Sequence, residues 1–322
     1  MKNVLVVMPF RQSHKDYIEK IGAGCSFTYS SIGEATEEQV CSADIILGNA
    51  DAKLVAKSEK LQWIQLNSAG ADPYCNPGIL KPGTLLTCAS GAYGLSVSEG
   101  MLAMTMMLCR KMDLYMRNQV ERKWNDEGIV TSIWNSTTLV LGLGDIGSEY
   151  ASRMKALGSH VIGVRKNTAI KPDCVDEIRS LDDLDELLPM ADFVAMVLPG
   201  TPATYKIMNE ARLMKMKKGA FLINAGRGNA VDCDALDRVL RSGESLGGAA
   251  LDVTDPEPLP ADHPLWDAPR CIIAPHISGK FNLPETFERI VRIAGGNLEA
   301  FLKGDIGHMR SLVDLKSGYR KI

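Results

Sequence analysis

The stretch that decides the fold is T-T-L-V-L-G-L-G-D-I-G, from Thr137 to Gly147. Leu139 to Leu141 is a short apolar run of the kind that forms a buried parallel strand. Gly142-x-Gly144-x-x-Gly147 follows directly. A helical pattern then runs from Ser148 to Leu157, and after Gly158 comes a second strand-like run, His160 to Val164. A glycine triplet alone says little; strand, glycine turn, helix and strand in that order give it a physical role. Gly142 permits the tight turn, Gly144 lets the backbone approach a pyrophosphate, and Gly147 lets helix and strand pack closely. The unpaired N–H groups and positive dipole end of the new helix, where Asp145 and Ile146 stand, then hold phosphates.

The same alternation continues toward the C-terminus. Leu181 to Met190 reads as an acidic amphipathic helix with Ser180 as its N-cap. Phe193 to Leu198 is a strand stopping at Pro199-Gly200, and Thr204 to Met216 reads as a helix. Ala220 to Asn224 is a strand running into Ala225-Gly226-Arg227-Gly228, and Asp232 to Arg241 a helix. Gly248 to Val253 is a strand followed by the proline-rich loop Asp255 to Pro269; Cys271 to Ala274 is the last strand, running into Pro275-His276. Strands and helices alternating in this way imply right-handed parallel crossovers and a doubly wound sheet.

Before the glycine turn lies a smaller α/β pattern. Strands are expected at residues 3–8, Ile45 to Leu47, Leu61 to Leu66 and Leu85 to Cys88. Helical patterns run over residues 11–22 and around Glu34 to Val40. Glu99 to Met112 is apolar nearly all round and rich in methionine, which suits a core or domain-interface helix. Met116 to Trp134 mixes charge with tryptophan and reads as a linker or a dimer arm. Pro284 to Leu302 is one long helix expected to return to the first unit. The organisation is therefore a domain of residues 1–97 and 284–322, interrupted by a dinucleotide-binding domain of residues 98–283.

A chain of 322 residues suits two domains and a large core. With 45% hydrophobic and 23% charged residues and a net charge of −3, no basic surface advertises nucleic acid or an anionic membrane. The eight cysteines are scattered without C-x-x-C spacing, so no metal site is indicated, and they read as reduced thiols. The chain opens on a strand rather than a targeting segment, and no apolar run reaches the ~18 residues a membrane helix needs. A cytoplasmic location is expected.

In an open parallel sheet the ligand sits outside the carboxyl ends of the strands. The residues there are Gly142 to Gly147, Arg165-Lys166, Leu198-Pro199, Ala225-Gly226-Arg227, Asp252 to Glu257, and His276. Singly, each has an ordinary structural reading. Jointly, one arginine, one carboxylate and one histidine converge beside a pyrophosphate site. An arginine held on a glycine turn suits bidentate binding of a carboxylate. A carboxylate beside an imidazole favours its protonated form and fixes its tautomer. Such a histidine can exchange a proton with a carbonyl or alcohol oxygen, and a nicotinamide alongside makes hydride transfer the natural reaction.

These residues carry a resemblance. V-L-G-L-G-D-I-G, V-L-P-G-T-P-A-T, K-K-G-A-F-L-I-N-A-G-R-G, G-A-A-L-D-V-T-D-P-E-P-L, H-P-L-W and A-P-H-I-S-G make the chain similar to the D-2-hydroxyacid dehydrogenases over nearly its whole length. The resemblance implies a Rossmann-type cofactor domain plus a smaller flavodoxin-like substrate domain, binding of NADP or NAD, and a homodimer joined through the cofactor domains. It implies that Arg227 anchors a 2-oxoacid's carboxylate and polarises its keto group, that His276 is the acid/base and that Glu257 supports it. Ser68-Ala69-Gly70 matches the loop whose backbone N–H groups hold the substrate carboxylate from the other domain. Besides the glycine turn, cofactor contacts are expected from Arg165, Lys166, Leu198, Pro199, Thr204, Ala225, Gly226, Arg227, Asp252, His276 and Ser278.

Two departures stand out. Where NAD-using relatives end the second cofactor-domain strand in an aspartate for the ribose hydroxyls, this chain has Arg165-Lys166. That pair would attract a 2′-phosphate, so NADP is expected in preference to NAD. Ala71 stands where a valine is commoner. Tyr93, Trp134 and Trp266 suit a pocket, a dimer arm or the core. Two other readings share the fold: a dinucleotide-sensing corepressor-like protein, and a formate dehydrogenase-like enzyme. Glu257, in place of a glutamine, argues against the latter.

Overall fold

The computed structural model describes residues 1–315 and 319–320. It divides into two compact units, Met1–Tyr93 with Leu283–Ile322, and Gly94–Asn282. The first unit is built on five strands: β1 (Asn3–Val6), β2 (Ser26–Tyr29), β3 (Ile45–Leu47), β4 (Trp63–Gln65) and β5 (Leu85–Thr87). All are parallel, in the order β2-β1-β3-β4-β5. This is the flavodoxin-like order. Helices cover the sheet, so β3 and β4 are buried on both faces; β3 is wholly apolar, and β4 carries one buried polar residue, Gln65. Leu5, Ile46, Ile64 and Leu86 form the heart of that core. The edge strand β2, S-F-T-Y, alternates exposed and half-buried residues and gives no such run, so the sequence did not announce it.

Helices α1 (Gln12–Ile21), α2 (Glu37–Ser42) and α3 (Ala52–Val55) lie in this unit. Helix α2 begins later than its acidic composition suggests, because the Thr36 hydroxyl and the Gln39 side chain form a reciprocal cap there. The long helix Pro284–Leu302 packs against α1, and a short antiparallel pair, Val313–Asp314 with Tyr319–Arg320, follows it.

The second unit contains α4 (Gly94–Cys109), α5 (Met112–Val120), β6 (Thr137–Leu141), α6 (Asp145–Ala156), β7 (His160–Val164), β8 (Glu177–Arg179), α7 (Leu184–Leu187), β9 (Phe193–Met196), α8 (Glu210–Lys215), β10 (Phe221–Asn224), α9 (Cys233–Ser242), β11 (Gly248–Leu251) and β12 (Cys271–Ile273). Its seven parallel strands run β12-β11-β10-β9-β6-β7-β8. The chain enters at β6, steps outward to β8, then returns to β9 on the other side of β6. That reversal is the switch point at which α/β sheets open a ligand crevice.

The methionine-rich helix α4 packs against α6, β10 and β11, burying Met101, Met104 and Leu108. Further elements differ from the sequence expectation. The helix over Thr204 to Met216 shrinks to α8, because residues 201–207 form turns and Asn209 caps the helix by accepting the N–H of Arg212 at 3.1 Å. The pattern over Leu181 to Met190 breaks into α7 between two tighter 3-10 turns, the second containing Pro189. Strand β8 is an added edge pairing with β7. In the segment read as linker or arm, helix α5 ends at Val120 and irregular chain continues to β6.

Among the described residues no helix is long and apolar enough to cross a membrane, and no three His, Cys, Asp or Glu side chains cluster to hold a metal. Burial pushes the Cys271 thiol up to about 12.

Candidate active site

The glycine turn follows β6 directly. Gly142 has φ +99°, in the region that favours glycine, and a Cβ there would sit 2.8 Å from the Val197 carbonyl oxygen. A Cβ on Gly147 would lie 1.8 Å from the Gly142 carbonyl oxygen, so the first turn of α6 can close over the loop only with glycine there. Around Gly144 the result is the opposite: a Cβ would meet nothing within 4 Å. The backbone is open on that side, at the N-terminus of a twelve-residue helix. This cradle fits a pyrophosphate. The Asp145 carboxylate faces elsewhere; it accepts the N–H of Gly94 at 2.7 Å and caps α4. Ile146, beside it, is half-buried.

Arg165, half-buried, and Lys166, exposed, follow the last residue of β7, and Asn167 and Thr168 come next in the chain. After β9, buried Leu198 and half-buried Pro199 begin a turn stitched by Thr204. The Thr204 hydroxyl donates to the Pro199 carbonyl and accepts the N–H of Thr201 at 2.9 Å, so its work is internal to the loop.

Strand β10 ends at Asn224, whose fully buried amide builds the turn that presents Arg227. Its Oδ1 accepts the Gly226 N–H at 3.1 Å and its Nδ2 donates to the Arg227 carbonyl at 3.0 Å. Ala225, which is buried, is tied to β9 by its N–H to the Met196 carbonyl at 3.0 Å. A Cβ on Gly226 would press on the Leu198 backbone at 2.6 Å, and one on Gly228 would fall 1.8 Å from the Thr254 carbonyl oxygen. Glycine on both sides of Arg227 thus lets its turn contact the loops after β9 and β11. The half-buried Arg227 guanidinium donates to the Gly226 carbonyl at 3.0 Å.

Strands β11 and β12 carry the other two groups. Asp252 is buried, and its carboxylate accepts the N–H groups of Ile277 at 3.0 Å and Ser278 at 3.3 Å. Its carbonyl accepts the N–H of His276 at 2.8 Å. Asp252 was expected among the cofactor residues; its side chain is committed to holding the histidine loop. Ser278 is held from its other side by the Ser96 hydroxyl, which donates to its carbonyl at 2.6 Å, and its own side chain lies against Gly100. His276 itself has φ +50°, a left-handed conformation that this network stabilises.

The His276 Nδ1 lies 2.7 Å from Glu257 Oε1, with both side chains about half exposed. An ionised carboxylate can only accept, so Nδ1 carries the hydrogen and Nε2 is left for proton exchange. Because β10, β11 and β12 are adjacent and parallel, Arg227, Glu257 and His276 all follow the carboxyl ends of neighbouring strands. The glycine turn follows β6 at the same edge, one strand beyond β9. Asn224, Ser96 and the loop-holding function of Asp252 escaped sequence reading. Only their positions, Asn224 as the last residue of an apolar strand and Asp252 just past one, could have drawn attention to them.

In the first unit, the Ser68 hydroxyl donates to the Gly70 carbonyl at 2.6 Å, so what the Ser68, Ala69 and Gly70 loop can offer a ligand is its backbone. Tyr93 is buried there as a core residue, its hydroxyl on the Asn67 carbonyl. In the second unit, Trp134 is largely exposed, and the half-exposed Trp266 donates its indole N–H to the Pro260 carbonyl at 2.9 Å.

A parallel sheet with a phosphate cradle at its switch point and an imidazole–carboxylate pair at the same edge defines a dinucleotide-binding α/β unit equipped for proton transfer. Residues 102–278 match the family model of the D-isomer specific 2-hydroxyacid dehydrogenase NAD binding domain, and the chain belongs to that family. It is 32% identical over 267 residues to a glyoxylate reductase of Thermofilum pendens, covering 81% of this chain and 78% of that one. The crystal structure of a D-isomer specific 2-hydroxyacid dehydrogenase family protein from Aeromonas salmonicida superposes with a TM-score of 0.83 at 31% identity, covering 98% of this chain and 99% of that one. A glyoxylate/hydroxypyruvate reductase from Sinorhizobium meliloti, described as NADPH-dependent and solved with NADP and sulfate, shares the fold. Its TM-score is 0.82 at 24% identity, over 99% of this chain and 100% of that one.

Proposed function

We propose that this NAD(P)-dependent 2-hydroxyacid dehydrogenase reduces a small 2-oxoacid to the D-2-hydroxyacid, reversibly, with NADPH preferred to NADH. The observation that carries the reading is the 2.7 Å pairing of His276 with Glu257 at a strand end next to the one that presents Arg227. The Arg227 guanidinium binds the carboxylate and draws electron density from the keto oxygen. His276 Nε2 delivers a proton to that oxygen, while Glu257 holds the ring and balances the imidazolium charge. The Ser68–Gly70 loop offers its backbone N–H groups to a carboxylate. The dinucleotide, when bound, supplies the hydride. The cradle around Gly144 would hold its pyrophosphate, with Leu198, Pro199, Ala225, Gly226 and Ser278 bordering the same sheet edge.

Arg165 and Lys166 support the cofactor preference, since two cations at the end of β7 attract a 2′-phosphate, where an aspartate would accept bonds from the ribose hydroxyls. Initial rates with a panel of 2-oxoacids and both cofactors test the whole reading. Reduction is expected with kcat/KM at least roughly tenfold higher for NADPH, the worth of one charge-assisted hydrogen bond. Arg165→Asp is expected to reverse the preference. A clear preference of the unaltered protein for NADH would overturn the cofactor assignment, and no turnover of any 2-oxoacid would overturn the enzyme assignment.

The homodimer belongs to the same reading. Val120, Trp124 and Ile129 are almost fully exposed on the segment after α5, an apolar display that a second copy would cover. Sedimentation is expected to give twice the 35.0 kDa chain mass; a monomer at micromolar concentration would contradict it.

A further inference from the structure

Strands β3 and β4 are parallel neighbours in register Leu47 with Gln65, so two residues past the end of that pairing Asn49 stands opposite Asn67. There the side chains continue what the backbone ladder leaves off. The N–H of Asn49 donates to Asn67 Oδ1 at 2.8 Å, and the N–H of Asn67 donates to Asn49 Oδ1 at 3.0 Å. Asn49 Nδ2 then donates to the Ser68 hydroxyl at 3.1 Å, which in turn donates to the Gly70 carbonyl at 2.6 Å. The Asn49 amide thus accepts from Asn67 with its oxygen and donates to Ser68 with its nitrogen. Asn49 is itself held rigidly. Gly48, at φ +117°, bonds the Gln65 carbonyl at 2.7 Å, and the Tyr74 hydroxyl holds the Ala50 carbonyl.

The consequence lies in the peptide planes of the loop. A trans peptide unit is planar with its C=O and N–H pointing in opposite directions, so fixing one fixes the other. The Asn67 carbonyl accepts from the Tyr93 hydroxyl, the Ser68 carbonyl from the Ala89 N–H at 2.8 Å, and the Gly70 carbonyl from the Ser68 hydroxyl. The N–H groups of Ser68, Ala69 and Ala71, which share those three peptide units, are thereby oriented before any ligand arrives. We infer that Asn49 is a positioning residue for the substrate: through the Ser68 hydroxyl it fixes the Gly70–Ala71 peptide, and with it the shape of the loop that receives the substrate carboxylate, while Tyr93 and Ala89 fix the Asn67–Ser68 and Ser68–Ala69 peptides. The inference rests on the proposed role of that loop.

The experiment is steady-state kinetics of 2-oxoacid reduction with Asn49→Ala, Ser68→Ala and the double variant, alongside thermal unfolding. Asn49→Ala is expected to raise KM for the 2-oxoacid roughly tenfold, the effect of losing one or two hydrogen bonds, with KM for the dinucleotide unchanged. Ser68→Ala, which breaks the same relay without touching the asparagine pair, is expected to raise the same KM, and the double variant to add little to the larger single effect. Should Asn49→Ala unfold, Ser68→Ala carries the test. An oxoacid KM within twofold of the unaltered protein in every folded variant, or independent multiplication of the two effects, would overturn the inference while leaving the enzyme reading intact. Absence of turnover by the unaltered protein would overturn the enzyme reading, and this inference with it.

Discussion

Replacing His276 by alanine is expected to lower kcat for 2-oxoacid reduction by roughly 10²–10⁴-fold, the usual worth of a positioned general acid. Dinucleotide affinity should be nearly unchanged. The expectation follows from how the site divides its labour. The loop bearing His276 is held by the Asp252 carboxylate through Ile277 and Ser278, and by the Asp252 carbonyl through the histidine's own N–H. None of those bonds uses the imidazole. The glycine cradle after β6 is likewise independent of it. Alanine is less at ease than histidine at φ +50°, so His276→Asn, better suited to the left-handed region, is the companion variant. Fluorescence titration with NADPH reads binding and stopped-flow reduction reads chemistry. Near wild-type turnover in both variants would remove His276 from the mechanism.

The second large effect is expected at Arg227. Arg227→Ala should lower kcat/KM by roughly 10³-fold or more, about 4 kcal/mol of transition-state stabilisation. Both parameters should suffer, because in the proposed mechanism the guanidinium binds the carboxylate in the ground state and polarises the keto group as charge develops. The turn itself should survive, since the Asn224 amide and the flanking glycines shape it through the backbone. Arg227→Lys keeps the charge and loses the planar fork, so it should recover only part of the loss. If Arg227→Ala stayed within tenfold of the unaltered protein, the carboxylate would be held elsewhere.

The second unit was legible because its signals are local. The apolar run before Gly142, the glycines at 142, 144 and 147, and the strands read as ending at Asn224, Val253 and Ala274, within two residues of where they end in the fold, could all be read in a single pass. Arg227, Glu257 and His276 stood out because each follows one of those strands. What stayed hidden depends on partners far apart in sequence. The Asp252 carboxylate caps a loop 25 residues later, and Asn49 pairs with a residue 18 positions on. Asp145 looked like a phosphate-turn residue, yet its carboxylate is spent on Gly94, 51 positions earlier. Edge strands β2 and β8 were missed for another reason: a strand with one neighbour and a wet face needs no apolar run. The helix expected over Thr204 to Met216 lost its first half to Thr204, whose hydroxyl satisfies turn backbone that a helix would otherwise have claimed.

The central claim is that a hydride passes to the keto carbon of a 2-oxoacid while His276 supplies the proton. Incubation with NADPH deuterated at both C4 positions, followed by mass and chiral analysis of the product, tests it directly. The account predicts one deuterium bonded to C2 of the D-2-hydroxyacid for each cofactor oxidised. Deuterium absent from C2, or a product of the opposite configuration, would contradict it.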